Sequence, residues 1–521
     1  MSGSQEAYVE DGWLASLLAR VERAGNALPH PATLFVLLSA GVVLLSAVLA
    51  SLGVAVAHPL TGKSVAVVNL LSVEGLQRLV LNVVPNFTGF GPMGPLLVSM
   101  LGLSVAERSG LLGATVRLII GAASGRGLTW GVVCAGAMSH TAGDVGYVLL
   151  LPLSASLFHA AGRHPLAGLA AAFAGVSGGF AANMLLSPTD FTLAGITQDA
   201  ARLIDPTAVV TGVASYFFLA ASVPLVTVTG ALVTERIVEP RLGRYDGAVV
   251  ADAMVPLTAT ERRGLRGALV ATLILAALVL AGLMPDAGFL RDPKSPDLVN
   301  SVFLRGLVFF LFLFGLIPGL TYGRMVGTMR RDTEAYAAMQ ETMALVSGYV
   351  VVVFFIAQFV ALFAWSNLGV VTAVAGAGWL KSLGLGPIPL LVGLMLLTCV
   401  IDLFLGSASA KWALLGPVLV PMFMLLGYSP ALTQTAYRVG DSLTNIITPL
   451  SSNFPLVLMF LQRYAPKAGI GTLTAMMLPY TLVNLVAWML MLVLWVWMGW
   501  PTGPGAPLFV PMASGGAVPG L

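Results

Sequence analysis

The sequence predicts an all-α polytopic membrane protein, with about nine transmembrane helices plus two re-entrant hairpins arranged as an inverted repeat. Three observations carry that reading. The chain of 521 residues is 57% hydrophobic and only 9% charged, with a mean hydropathy of +0.92, whereas soluble domains carry about 25% charged residues. Uncharged runs at 32–57, 207–234 and 474–500 exceed the roughly 20 residues that a helix needs to cross about 30 Å of hydrocarbon. Two segments, 128–160 and 386–426, each hold two apolar arms around a Gly/Ser/Ala-rich polar centre.

Taken in chain order, residues 1–31 form a cytoplasmic N-terminal segment; they carry Arg20, Glu22 and Arg23 but no cleavable apolar h-region. The first transmembrane half, 32–234, has spans near 32–57, 91–118, 165–203 and 207–234, with the first hairpin at 128–160. Residues 235–266 hold Arg236, Arg241, Arg244, Arg262, Arg263 and Arg266, and such basic loops face the cytoplasm. Linking helices fill 267–339, with spans near 265–284 and 301–323 and a second basic loop at Arg324, Arg330 and Arg331. The second half, 340–500, has spans near 340–365, 428–463 and 472–499, the second hairpin at 386–426, and a third basic loop at Arg463 and Lys467. Loops 58–78 and 285–300 carry Glu74, Asp286, Asp292 and Asp297 with few basic residues, so they lie on the opposite side. The count puts the N-terminus inside and the 501–521 tail outside.

The halves repeat. Cys134 is followed by Tyr147 thirteen residues on and Pro152 five further; Cys399, Trp412 and Pro417 keep both spacings. After each hairpin comes a long apolar segment broken at an Asn and a Pro, Asn183–Pro188 and Asn445–Pro449. On the loop count the hairpins enter from opposite sides. Inverted repeats of this kind are typical of secondary transporters, whose sites lie near the midplane between the repeats.

Polar groups inside hydrocarbon mark a candidate solute site, because lipid tolerates broken backbone and charge only where protein buries them or where they line a wet cavity. Arg438 and Asp441 stand three apart and would share a helix face. Their pairing is read either as functional or as a structural tie to a neighbouring helix. In the first break, Pro188 frees carbonyls in the preceding turn. Asn183, Ser187 and Asn445 are therefore candidate Na+ ligands, with a simple Pro kink as the alternative. Asp190, Asp441 and Asp402, with the two asparagines, are the candidates for coupling to Na+ or H+. Trp412 offers a flat face and one N–H donor to an aromatic solute, while Trp488, Trp495, Trp497 and Trp500 read as an interfacial belt. Lys411 would pair with Asp402 or meet an anion. His140 and Asp144 sit at the first hairpin tip.

Other classes are poorly supported. A net charge of +3 is too small and dispersed for nucleic-acid binding. Two cysteines, Cys134 and Cys399, provide neither a disulfide scaffold nor metal-site spacing. No metal cluster, phosphate-cradling loop followed by Lys, or nucleophile elbow is present. No cofactor is expected, and an ion gradient rather than ATP would supply the work.

The stretches Gly406-Ser-Ala-Ser-Ala-Lys-Trp-Ala413, Ala436-Tyr-Arg-Val-Gly-Asp-Ser442 and Asn445-Ile-Ile-Thr-Pro449 resemble the p-aminobenzoyl-glutamate transporter (AbgT) family. So do Glu22–Pro31 and Asn183–Gln198, and the similarity runs from about residue 20 to about residue 500. The resemblance implies a homodimer of bowl-like subunits in the bacterial inner membrane, each with nine transmembrane helices and two hairpins. It implies transport of p-aminobenzoyl-glutamate, a folate breakdown product, or export of sulfonamide antimetabolites. Carried over motif by motif, functional positions fall on Asp190, Trp412, Pro430, Arg438, Asp441 and Pro449, with Trp412, Pro430, Arg438 and Pro449 expected at a small aromatic anion. One position departs: where the family usually has Asn, this chain has Asp402. A Na+-coupled dicarboxylate carrier is the alternative of the same class. A membrane enzyme using His140, Asp144 and Asp441 is the alternative from another.

Overall fold

The computed structural model describes residues 29–58, 62–121, 127–139, 146–247, 256–285, 287–293, 301–451 and 453–510. His140, Asp144, Asp286 and Asp297 lie outside the described residues, as do residues 1–28. Among the described residues the chain is nearly all helical, and eight helices are long and apolar enough to cross a membrane. The protein is a multi-pass membrane protein.

The first predicted span is shorter than expected. Helix α1 (Pro31–Ser51) starts on a proline at its first turn and ends before Gly53, whose φ of +68° turns the chain out of the helix. Residues 55–57, read as membrane span, instead pair antiparallel with Ser64–Ala66, so the fold is not purely α. Helix α2 (Val73–Thr88) was missed because its first turns carry Glu74, Gln77 and Arg78 and read as loop. The span at 91–118 is two helices, α3 (Met93–Arg108) and α4 (Leu111–Gly121), parted at Gly110 with φ +90°.

Each segment predicted as a hairpin has two helical arms. The first consists of α5 (Gly127–Met138) and, after a π-turn at Gly146–Leu150, α6 (Leu151–Ala160). Both arms pack on α7 (Pro165–Val176), the first part of the first broken helix. Contact is close because Gly175 faces the other helix: a Cβ there would lie 2.4 Å from the Val133 carbonyl oxygen. The chain then unwinds and resumes as α8 (Pro188–Ala201).

Helix α9 (Tyr216–Val233) runs on through a π-turn at Thr234–Val238 into α10 (Glu239–Leu242). Helix α11 already begins at Ala259, capped by Thr258 and Glu261. The basic loop at 235–266 is thus shortened from both ends, and Arg262, Arg263 and Arg266 stand on helix. Next come the single turn α12 (Val302–Arg305), α13 (Leu307–Val326) and α14 (Asp332–Trp365). At 34 residues, α14 is about 50 Å long and reaches well past the predicted 340–365.

The second half also contains α15 (Leu368–Ser382), which the sequence reading did not assign. The second hairpin follows as α16 (Pro387–Asp402) and α17 (Ala408–Leu425). Its arms pack on α18 (Pro430–Thr444), which unwinds from residue 445 through 451, and helix resumes as α19 (Phe454–Tyr464). Gly440 permits that contact, since a Cβ there would lie 2.4 Å from the Met395 carbonyl oxygen. Equivalent residues of the repeat occupy equivalent places. Cys134 and Cys399 lie on the first arms, and Tyr147 and Trp412 open the second. Helix α20 (Ile470–Met498) closes the bundle. Trp497 and Trp500 are exposed as belt residues should be, but Trp488 is fully buried and donates to the Ser222 hydroxyl at 2.9 Å, and Trp495 is buried against Phe218.

Candidate functional site

The predicted polar residues converge on α8, α17 and α18, which pack on one another. Every residue of α18 is buried, although its sequence is the most polar of the apolar bundle: Thr433, Gln434, Thr435, Arg438, Asp441, Ser442 and Thr444 all lie on it. Buried groups of this kind must find partners inside the protein, so they dictate how the three helices meet.

At the first break, Pro188 takes the first position of α8, where a missing N–H costs nothing, and Asp190 closes a capping box. One oxygen of Asp190 accepts from the Ser187 backbone N–H at 2.6 Å, the Ser187 hydroxyl at 2.9 Å and the Asn183 amide at 3.0 Å. Its other oxygen accepts from Arg438 at 2.5 Å, an ion pair 1% and 3% exposed on its two sides. The predicted Arg438–Asp441 pair is therefore not formed. Three-residue spacing does put both on one helix, but each finds a better partner on another element.

Asp441 pairs instead with Lys411, which also pairs with Asp402. All three side chains are buried. The second oxygen of Asp402 accepts from Thr444 at 2.7 Å and from Thr448 at 3.4 Å, and the second oxygen of Asp441 faces the Asn445 amide at 3.5 Å. Asp402 thus meets Lys411, as one sequence reading had it.

Trp412 is fully buried, and its N–H is not free: it donates to Thr197 at 2.8 Å. One ring face is taken by Tyr437, stacked at 4.3 Å and 25°. Thr197 in turn donates to Gln434 at 2.6 Å, and Ser215 continues the chain at 3.4 Å. Pro430 starts α18 on a Ser429 cap, eight residues or about 12 Å along the axis from Arg438; Pro449 lies in the second break. Tyr437 entered the sequence reading only as part of a motif, and Thr197, Gln434, Thr444 and Thr448 were given no role from sequence. Their polarity within an apolar stretch was the available signal.

Among the buried side-chain atoms of the described residues that lack a hydrogen-bond partner are the amide oxygen of Asn183 and Nε of Arg438. An unpaired acceptor beside a helix break suits a cation, and an unpaired guanidinium N–H suits an anion. Of the candidate Na+ ligands, Asn183 has an amide oxygen to spare, while the Ser187 hydroxyl is engaged with Asp190. Among the described residues no three His, Cys, Asp or Glu group as a metal site would require.

A multi-pass helical bundle with buried charges gathered at two helix breaks has the architecture of a membrane transport protein. The chain belongs to the AbgT putative transporter family, whose model matches residues 16–510. It is 42% identical over 485 residues to the p-aminobenzoyl-glutamate transport protein of Escherichia coli (strain K12), covering 93% of this chain and 95% of that one. Its fold matches the YdaH transporter of Alcanivorax borkumensis, noted for an unusual topology, at 45% identity and TM-score 0.86, over 91% of this chain and 100% of the other. It also matches MtrF of Neisseria gonorrhoeae, from a class of antimetabolite efflux pumps, at 44% identity and TM-score 0.88, over 94% and 100%. As a family member it is a multi-pass protein of the bacterial inner membrane.

Proposed function

We propose that the protein is an ion-coupled secondary transporter of p-aminobenzoyl-glutamate or a related aromatic anion, including sulfonamides. The observation that carries this reading is the Arg438–Asp190 bridge between the two broken helices, with one guanidinium N–H left over. A carboxylate that competes for Arg438 would loosen the tie between the halves, which is how binding energy can drive a rearrangement. The stacked Trp412–Tyr437 pair is the adjoining aromatic surface, on the same two helices as Lys411 and Arg438. Since Trp412 is buried and already stacked, the described arrangement is closed, and an aromatic solute would have to open or extend the stack.

The proposed coupling ion is Na+ or H+. The coupling residues are Asp190, Asp402 and Asp441, assisted by Asn183 and Asn445. The two helix pairs at 127–160 and 387–425 are read as re-entrant hairpins from opposite leaflets, and the working unit as a homodimer. Labelled p-aminobenzoyl-glutamate and a labelled sulfonamide, offered to proteoliposomes with Na+ and H+ gradients imposed separately, test the function. Accumulation of either compound under one gradient is the expected result; no accumulation under any gradient in either direction overturns it.

A further inference from the structure

We propose that Lys411 is a tethered cation: its ammonium stands between the Asp402 and Asp441 carboxylates where a free alkali cation would otherwise sit, so this site does not take Na+. The inference rests on the transport reading and narrows it, since it leaves the oxygen of Asn183 at the first break as the Na+ candidate.

The geometry is that of a coordination site with its ion supplied by the chain. Nζ of Lys411 contacts one oxygen from each carboxylate, and the other oxygen of each is met by Thr444, Thr448 or Asn445. The carboxylates come from different elements, Asp402 from the end of α16 and Asp441 from α18, while Lys411 enters from the first turns of α17. Without the ammonium, two buried carboxylates would face one another, an arrangement that demands a counter-cation. The ammonium carries the same charge as an alkali ion and fills the space between the two carboxylates, so its occupancy excludes the ion. Arg438, the buried base of α18, cannot take over the role because it is committed to Asp190. Lys411 is held in place at its own backbone too, donating from its N–H to the Ser407 carbonyl at 3.0 Å.

The test is a binding measurement on purified full-length protein in detergent, without substrate or flux, so its failure is distinct from failure of the transport reading. Thermal midpoints are compared in NaCl, KCl and choline chloride at one pH and ionic strength. Wild type should show no Na+-specific rise attributable to this site. Lys411→Gln should be less stable than wild type in choline and regain several degrees specifically in NaCl, with matching binding of radioactive Na+. The neutral triple variant Asp402→Asn/Lys411→Gln/Asp441→Asn should fold and respond to Na+ no more than wild type does. A Na+-dependent rise in wild type that Asp402→Asn abolishes would overturn the proposal outright. So would a Lys411→Gln protein that Na+ does not stabilise, or one that cannot be recovered in NaCl while the triple variant folds.

Discussion

At the first break one carboxylate, Asp190, meets one base, Arg438, and gathers three further donors from Asn183 and Ser187. At the second, two carboxylates, Asp402 and Asp441, share one base, Lys411. The local device is the same in both: a long apolar helix unwinds over a stretch that holds an Asn and is broken near a Pro, and buried charge collects beside it. The electrical result differs. The first break is a closed, neutral clasp that spans the halves, whereas the second carries one carboxylate more than its own bases. The aromatic partner of each hairpin differs in the same direction. Tyr147 meets Phe173 edge-on at 6.4 Å, while Trp412 lies flat on Tyr437 at 4.3 Å. Equivalent positions in a repeat thus carry different loads, with the first half built as a tie and the second as the charged side of the site.

The sharpest way to break this comparison is to cut the clasp. Asp190→Ala leaves Arg438 buried without its carboxylate, which costs about 3–5 kcal/mol for a pair of this burial. Expression and thermal midpoint should therefore fall together. A well-folded Asp190→Ala protein would show that the first break is not structural. Asp441→Asn should behave in the opposite way. Lys411 keeps Asp402, and Arg438 never depended on Asp441, so the protein should fold while gradient-driven accumulation in proteoliposomes collapses. Normal accumulation by a folded Asp441→Asn protein would move the coupling role to Asp190 or Asp402.

A smaller change separates the two aromatic pairs. Trp412→Phe keeps a ring against Tyr437 but gives up the bond to Thr197, worth about 1 kcal/mol. Substrate affinity measured by tryptophan-independent titration should drop several-fold, whereas Tyr147→Phe in the first half should leave it unchanged. Equal effects from both would erase the distinction between the halves.

The smallest expected effect is at His164, which caps α7 at the entry to the first broken helix. Its Nδ1 accepts from the Leu166 N–H at 3.2 Å, and burial pulls its pKa down to about 4 despite the raising influence of Glu239. An imidazole whose folded pKa lies below its free value stabilises the fold above about pH 6.5, and that contribution is lost as pH falls from there towards 4. His164→Asn supplies a cap that does not titrate, so its thermal midpoint should lose less between pH 7 and pH 5 than that of wild type. His164→Ala should lose about 1 kcal/mol at pH 7 as the cap disappears.

The membrane class, the two pairs of apolar arms and both breaks were legible in the chain, because each leaves a local mark: an apolar run of fixed length, two apolar arms around a polar centre, an Asn followed by Pro. Spacing was enough to place Cys134 with Cys399 and Tyr147 with Trp412. It failed at α2 and α15. In the first, charges on one helix face imitate a loop. The second is a short apolar helix between a longer one and a hairpin, where length alone gives no boundary. Charge within apolar sequence also marked which residues gather near the breaks, but not who pairs with whom. Arg438 and Asp441 share a helix, yet their partners arrive from 248 residues away in one case and from the neighbouring hairpin in the other. Composition and periodicity therefore determined that this chain crosses a membrane and where its helices fail. Only the packing of α8, α17 and α18 decided the pairing, because a buried charge is satisfied by whatever group the tertiary contacts bring within hydrogen-bond reach, and that distance is not written along the sequence.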